Sequence, residues 1–272
     1  MPSLLFKGKW KDYGYYIENK VSSYMYFIDI DIDNDGIYDY RGVYFIKYRP
    51  YWKSHSSSSK NSYQDGNGYK KKKTYWFKYE PIKWNILKEE NGKVLIISDL
   101  ILDSQDYNYT DKTRTGATDY QDNVTANTVY ANNYMYSNIR GWLNTTFYDT
   151  VFNDLEKENI ETTLVDNSAS STSNSTNKYA CSNTNDKMFL LSYAEANRYY
   201  VNKTSRKAQG TDYAKCQGLR VNTSYGNSCW WLRSPDYDYG NYFRYVNLDG
   251  VMGGKDVDST HIGVRAACWI NL

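Results

Sequence analysis

The chain has 272 residues, with 33 Lys and Arg set against 31 Asp and Glu for a formal net charge of +2. That length supports one large domain, or a domain with an extension, whose core needs no covalent staples. The near-neutral, mixed charge excludes the global basic field that nucleic-acid and anionic-membrane binders use, so no polynucleotide partner is expected.

No apolar run approaches the length of a membrane span, so no membrane insertion is expected. The opening Met1-Pro2-Ser3-Leu4-Leu5-Phe6-Lys7 lacks the long apolar segment of a signal peptide. The 31 tyrosines sit among many Asn, Lys, Ser and Ile residues, a flavour that AT-rich codons impart to a whole chain. Four cysteines, Cys181, Cys216, Cys229 and Cys268, form no C-x-x-C pair and have only His55 and His261 for company. A zinc site is therefore not expected, and no other cofactor is implied.

In chain order, residues 24–46 read as a hairpin. Phe27, Ile28, Ile30 and Ile32 run into the turn Asn34-Asp35-Gly36, and Val43, Tyr44, Phe45 and Ile46 leave it. The turn also carries Asp31, Asp33 and Asp35 at the spacing of a calcium loop, with Asp39 beyond. An EF-type loop needs a bidentate acid at its twelfth position, which here is Gly42, so the stretch reads as an acidic hairpin tip. Residues 1–52 thus form a small β extension. Residues 53–73, rich in Ser, Gly and Lys, read as a flexible loop or linker, with the lysines at 70–73 a solvated run.

From residue 74 onward the pattern changes. Short strands are expected at 74–80 and 82–87, interrupted by Pro81, and a buried strand at 94–97 follows the turn Asn91-Gly92. Ile139, Trp142, Leu143 and Phe147 share one helical face, and Asn153-x-x-Glu156 caps a continuation through Leu155 and Ile160. Ser192-x-x-Glu195 opens a second helix through Ala194, Ala196 and Tyr199. Residues 167–177, all Ser, Thr, Asn and Ala, read as a loop. Strands, two helices and then several short strands in succession indicate an α+β domain over residues 74–272 and not a doubly wound sheet.

The last stretch is the most unusual. Trp230-Trp231-Leu232-Arg233-Ser234-Pro235 and Gly263-Val264-Arg265 frame a segment, residues 236–262, that no core would choose. Asp236, Tyr237, Asp238, Tyr239, Asn241, Tyr242, Arg244, Tyr245, Asn247, Asp249, Asp256, Asp258 and His261 are its candidate ligand-binding residues. Tyrosine gives large contact area for few rotatable bonds and Asn and Gly give adaptable hydrogen bonding, the composition of paratopes. Trp230, Trp231, Arg233, Val264 and Arg265 are assigned to the scaffold, with the two arginines bracing loops.

These motifs, with Tyr79-Glu80-Pro81-Ile82-Lys83-Trp84-Asn85, Leu95-Ile96-Ile97-Ser98, Ser137-Asn138-Ile139-Arg140-Gly141-Trp142-Leu143-Asn144 and Phe189-Leu190-Leu191-Ser192 in order, resemble the DUF6273 domain of Firmicutes bacteria and their phages. The resemblance covers about residues 74–272, with Ala266 where the family usually has proline. It implies a C-type-lectin-like layout with two helices and short antiparallel strands, shared with formylglycine-generating enzymes and the variable proteins of diversity-generating retroelements. In the latter, the mutable segment lies at the C-terminus, and adenine replacement in Asn codons yields Asn, Tyr, Asp, Ser, His, Arg, Gly and Phe. Residues 236–245, Asn247, Asp249, Asp256, Asp258, Ser259 and His261 fit that set, whereas Met252 and Lys255 do not.

No metal is expected, and neither histidine has the setting of a catalytic base. Cys229 with Cys268 is the only pair that invites an oxidase of the formylglycine-generating type, and the ligand motifs of calcium-dependent lectins do not occur. The expectation is a non-enzymatic recognition protein for a cell-surface protein or glycan, on a virion or a bacterial surface. An enzyme of the formylglycine-generating type and a purely structural surface or virion module are the alternatives. No heptads demand an oligomer.

Overall fold

The computed structural model describes residues 9–13, 15–17, 20–22, 24–52, 63–118 and 125–272. Among the described residues, three sheets of four or five strands, four two-stranded ladders and a few short helices make a mixed, α+β architecture. The principal strands are β1 (Met25–Ile30), β2 (Tyr40–Phe45), β3 (Thr74–Lys78), β4 (Trp84–Glu90), β5 (Lys93–Ser98), β6 (Asp103–Ser104), β7 (Ile160–Glu161), β8 (Trp230–Pro235), β9 (Tyr242–Val246), β10 (Met252–Asp256), β11 (Gly263–Val264) and β12 (Ala267–Asn271). The helices are α1 (Tyr63–Gly66), α2 (Asn138–Trp142), α3 (Tyr148–Val151), α4 (Asp154–Glu158), α5 (Tyr193–Tyr199) and α6 (Asp212–Cys216).

The acidic hairpin forms as expected: β1 and β2 pair antiparallel from Met25↔Phe45 to Ile30↔Tyr40. Asn34 and Gly36 both take positive φ at its tip, where Asn and Gly bear that conformation most easily. β3 then adds to β2, from Tyr40↔Lys78 to Tyr44↔Thr74. The N-terminal sheet therefore spans the sequence-based boundary at residue 74.

Part of the expected linker is ordered. Residues 53–62, His55 among them, lie outside the described residues; in 63–73, Tyr63, Gln64, Asn67 and Tyr69 pack inward while the lysines at 70–73 are exposed. Gln64 on α1 is buried; its amide donates to the Cys216 carbonyl (2.8 Å) and its carbonyl accepts from the Arg49 backbone (2.7 Å). Arg49 in turn donates to the Ser104 and Gln217 carbonyls, each at 2.7 Å. A Ser, Gly and Lys composition predicts solvation on average, and it says nothing about a single glutamine that satisfies two backbone groups.

A second sheet has the order β7-β12-β5-β4 and a third the order β10-β9-β8-β11-β6. In the third, β8 and β11 run parallel, with Trp230 opposite Gly263. Alternation along the strands builds two apolar layers. Trp231, Ile96, Phe243 and Cys268 enter one cluster, and Trp230, Leu232, Leu95, Ile97 and Ala267 the other. Both faces of β8 are therefore covered, which explains why all six of its residues are buried.

Helix α2 passes through one π-helical turn, Leu143–Phe147, into α3. Asn144 sits in that turn; its amide donates to the Arg140 and Met188 carbonyls (3.1 and 2.8 Å) and its carbonyl accepts from the Lys187 and Met188 backbone (2.8 and 3.0 Å). A side chain inserted between helix and neighbouring chain is a recognised cause of such a bulge. Ile139, Leu143 and Phe147 are buried as their spacing predicts. The capping boxes at Asn153–Glu156 and Ser192–Glu195 both form. The helix after Asn153 stops at Glu158, so Leu155 is exposed and Ile160 starts β7 instead of continuing the helix. Among the described residues, no helix is long and apolar enough to cross a membrane.

Candidate ligand-binding surface

The frame around residues 236–262 is rigid for reasons that can be named. The Trp230 and Trp231 indoles are fully buried, yet each N–H finds a carbonyl, at Arg206 (3.0 Å) and Gln105 (2.8 Å). Arg233 donates to both Glu195 oxygens, to the Leu190 carbonyl at 2.7 Å and to the Asp166 carbonyl at 3.1 Å. Ser234 accepts from the Tyr193 backbone (2.8 Å) and donates to the Ser171 carbonyl (3.1 Å). The Leu-Arg-Ser-Pro motif thus clamps α5 and the Ser-rich segment to β8.

Beyond Pro235 the chain leaves the sheet for one short loop before β9. Asn132 holds that loop from outside the segment: its amide donates to the carbonyls of Tyr239 (2.9 Å), Tyr242 (3.1 Å) and Asp236 (3.4 Å). Its backbone N–H donates to the Gly240 carbonyl (3.0 Å). Asn177 adds a bond to the Pro235 carbonyl (3.1 Å). Tyr237 and Tyr239, respectively 42% and 59% accessible, stand on this loop with exposed Asp238 between them.

Two further tyrosines complete the patch. Tyr130, 44% accessible, and half-buried Tyr179 meet edge to face at 4.9 Å between ring centres. Both flank Gly240, where an added Cβ would lie 3.0 Å from the Tyr179 ring and 3.2 Å from the Tyr130 ring. The Tyr239 and Tyr242 rings lie 5.2 Å apart. Three separate stretches of chain therefore supply one aromatic surface. Tyr130, Asn132 and Tyr179 lie outside the display segment and carry no local motif, so nothing in the sequence singles them out.

The candidate residues divide by environment. Tyr237, Asp238, Tyr239 and Asp249 are exposed; Asn241, Tyr242, Arg244, Tyr245, Asn247 and Asp256 are half-buried. Asn247 and Asp249 shape the β9–β10 turn, accepting from the Leu248 and Val251 backbone (2.8 and 3.1 Å). Burial, then the Asp256 carboxylate, push the pKa of the Tyr242 hydroxyl up. Tyr245 packs against Trp231.

Asp236, Asp258 and His261 are interior residues and do not present side chains to solvent, contrary to their place in the expected display set. Asp236 is drawn inward by an ion pair with Arg244 (2.9 Å) and packs over Gly254. Asp258 belongs to the stretch joined by the Trp52↔Ser259 bridge to the N-terminal part. His261 is 5% accessible, with Tyr51 and Tyr63 rings at 5.5 and 5.1 Å. Burial, reinforced by Lys255 and Arg220, lowers its pKa to about 3. A composition window cannot see that residues 49–52 fold back over residues 258–261, where Thr260 donates to the Pro50 and Tyr51 carbonyls.

The remaining chemistry is sparse. All four cysteines are free, and burial pushes the Cys229 and Cys268 thiols up to about 11 and about 12. A buried, protonated thiol is a poor nucleophile or metal ligand at neutral pH. At the hairpin tip, carboxylate oxygens of Asp31, Asp33 and Asp39 lie within 4.8 Å of one another. Asp35 is not one of that group; its carboxylate accepts from the Ile37 backbone at 2.8 Å.

No curated protein and no solved structure matches the chain. A family model described as a domain of unknown function, DUF6273, matches residues 91–272, which hold β5 through β12 and every residue of the tyrosine patch. The chain belongs to the DUF6273 family.

Proposed function

We propose that the chain is a non-enzymatic ligand-recognition protein, and that the surface of Tyr130, Tyr179, Tyr237, Tyr239 and Tyr242 contacts a cell-surface protein or glycan. The observation that carries this reading is the Asn132 clamp. One buried side chain fixes three carbonyls of a loop that exposes Tyr237, Asp238 and Tyr239. Such an arrangement lowers the entropy lost when the loop engages a partner, and rigid aromatic anchors are the usual energetic centre of an interface. The complete burial of Cys229 and Cys268 in the apolar core tells against a two-cysteine oxidase.

A C-type-lectin-like layout and retroelement diversification belong to the same proposal, in a narrower form. Variation is tolerable at exposed positions and costly at buried ones. Tyr237, Asp238, Tyr239 and Asp249 can change with little effect on the fold, whereas Asp236, Asp258, Ser259 and His261 cannot. A second, near-identical copy of the gene's 3′ end beside a reverse transcriptase gene, with mismatches confined to adenines, supports diversification. Mismatches at all four bases overturn it.

Binding itself is tested with fluorescently labelled protein on a glycan array and on intact cells of low-GC Gram-positive bacteria. Saturable binding that is lost in the Tyr237→Ser/Tyr239→Ser double variant is expected. Absence of binding on both supports, or equal binding by the folded double variant, overturns the reading.

A further inference from the structure

The display segment is charged opposite to the chain that carries it. Residues 236–262 hold five aspartates against Arg244 and Lys255, a net charge of −3 in a chain of +2. Both cations of the segment are engaged away from its exposed loop. Arg244 pairs with Asp236 at 2.9 Å. Lys255 lies 5.8 Å from the Trp52 ring centre and, as the strand neighbour of Asp256, projects from the opposite face of β10.

Two carboxylates remain beside the tyrosines. Asp238 is exposed between Tyr237 and Tyr239. Its backbone N–H donates to Asp236 (2.9 Å), while its carboxylate makes neither a hydrogen bond nor an ion pair with any described residue. Half-buried Asp256 stands opposite Tyr242 in the β9–β10 pairing, so the two side chains share a face, and among the described residues no cation pairs with it. The rings themselves attract positive charge: Lys178 Nζ lies 5.0 Å from the Tyr179 ring centre, and Lys178 makes no ion pair with either aspartate.

A neutral sugar laid on this surface strips water from Asp238 and returns no counter-charge, which is costly. A quaternary ammonium has no N–H to offer the carboxylate, and Tyr237 and Tyr239 lie open, 42% and 59% accessible, instead of enclosing a cage. An arginine meets both demands, because its planar guanidinium stacks on aromatic rings and donates two N–H groups to one carboxylate. We propose that the partner is a protein presenting an arginine to this surface, its guanidinium against the Tyr237 and Tyr239 rings and hydrogen-bonded to Asp238. This rests on the recognition role given above to the tyrosine surface, and it narrows the partner from a protein or glycan to a basic protein.

The test is a titration of the ¹⁵N-labelled full chain with an octapeptide of alternating Arg and Gly, with the same peptide carrying neutral citrulline for Arg, and with choline. The Arg peptide is expected to shift the amides of residues 237–242 saturably, with the citrulline peptide and choline at least fivefold weaker. Shifts resolved by residue separate this from attraction to the acidic hairpin tip, which lies in another sheet. Asp238 is exposed, so Asp238→Asn leaves the fold intact; it is expected to weaken the Arg peptide at least threefold. No shifts at 237–242, equal shifts from citrulline peptide or choline, or unchanged affinity in Asp238→Asn overturns the proposal. Binding of labelled protein to intact cells distinguishes the two failures. Loss in both Tyr237→Ser/Tyr239→Ser and Asp238→Asn is expected. Binding lost in the tyrosine variant but kept in Asp238→Asn overturns the arginine and leaves the surface standing. Binding kept in both, or absent from the wild type, removes the surface and the arginine with it.

Discussion

Arg233 on β8 and Glu195 on α5 form a two-pronged ion pair, its Nη2–Oε1 arm 3.0 Å long, that joins two motifs visible in the sequence. Glu195 also caps its own helix, accepting from the Ser192 backbone at 2.8 Å. Burial alone would raise the Glu195 carboxyl; the Arg233 guanidinium and these hydrogen bonds more than offset it and lower its pKa below the ordinary 4.5. Arg233→Met leaves a largely desolvated carboxylate alone, so it should destabilise by about 3–5 kcal/mol, measured by urea denaturation. Because the folded pKa is the lower one, the stabilisation is complete above pH 4.5 and lost as pH falls through the folded value. Glu195→Gln should lack that acid-side loss.

Asn132→Ala should act locally. It removes the amide that satisfies three loop carbonyls, so global stability should fall by about 1–3 kcal/mol. Amides of residues 237–242 should exchange with deuterium faster than those of β8. Equal protection in the variant would show that Asn132 is not what fixes the loop.

What the sequence discloses here is local. Alternation in Trp230-Trp231-Leu232, the Ile139, Leu143 and Phe147 stripe, the Asn91-Gly92 turn and both capping boxes follow from spacings within a few residues, and the structure contains each of them. The tyrosine patch needed Tyr130 and Tyr179 brought to Gly240, and the burial of His261 needed Tyr51 and Tyr63 brought across from the N-terminal part. Those are long-range contacts with no periodic signature. The same reason explains the placement of the 74 boundary inside one sheet: strand pairing of β3 with β2 is a tertiary fact.

Gly250→Ala should be among the most damaging single-methyl changes. Gly250 has φ of +84°, and an added Cβ would lie 1.7 Å from the Lys203 carbonyl oxygen. Neither partner can yield, since the atom struck is backbone and Arg206 Nε is bonded to the Gly250 carbonyl at 3.0 Å. A loss of about 2–4 kcal/mol is expected from strain plus displacement of the turn, read as a fall in urea midpoint. Asp249→Ala, on the same turn but exposed, should cost under about 1 kcal/mol.

His261 gives the chain an acid-side dependence that carboxylates do not. Its folded pKa is about 3 against an ordinary 6.5, because burial and the nearby Lys255 and Arg220 charges oppose protonation. Below pH 6.5 the unfolded chain therefore takes up a proton that the folded chain refuses. Stability from this group is intact above that pH and declines by up to about 1.4 kcal/mol per pH unit toward pH 3. His261→Phe keeps an aromatic ring between Tyr51 and Tyr63 and removes the titration. Its urea stability should equal or trail the wild type at pH 7.5 but decline less between pH 6.5 and pH 5, above the range where Glu195 titrates. Parallel curves for variant and wild type across that window would mean that His261 is reached by solvent, and would return it to the surface that the sequence suggested.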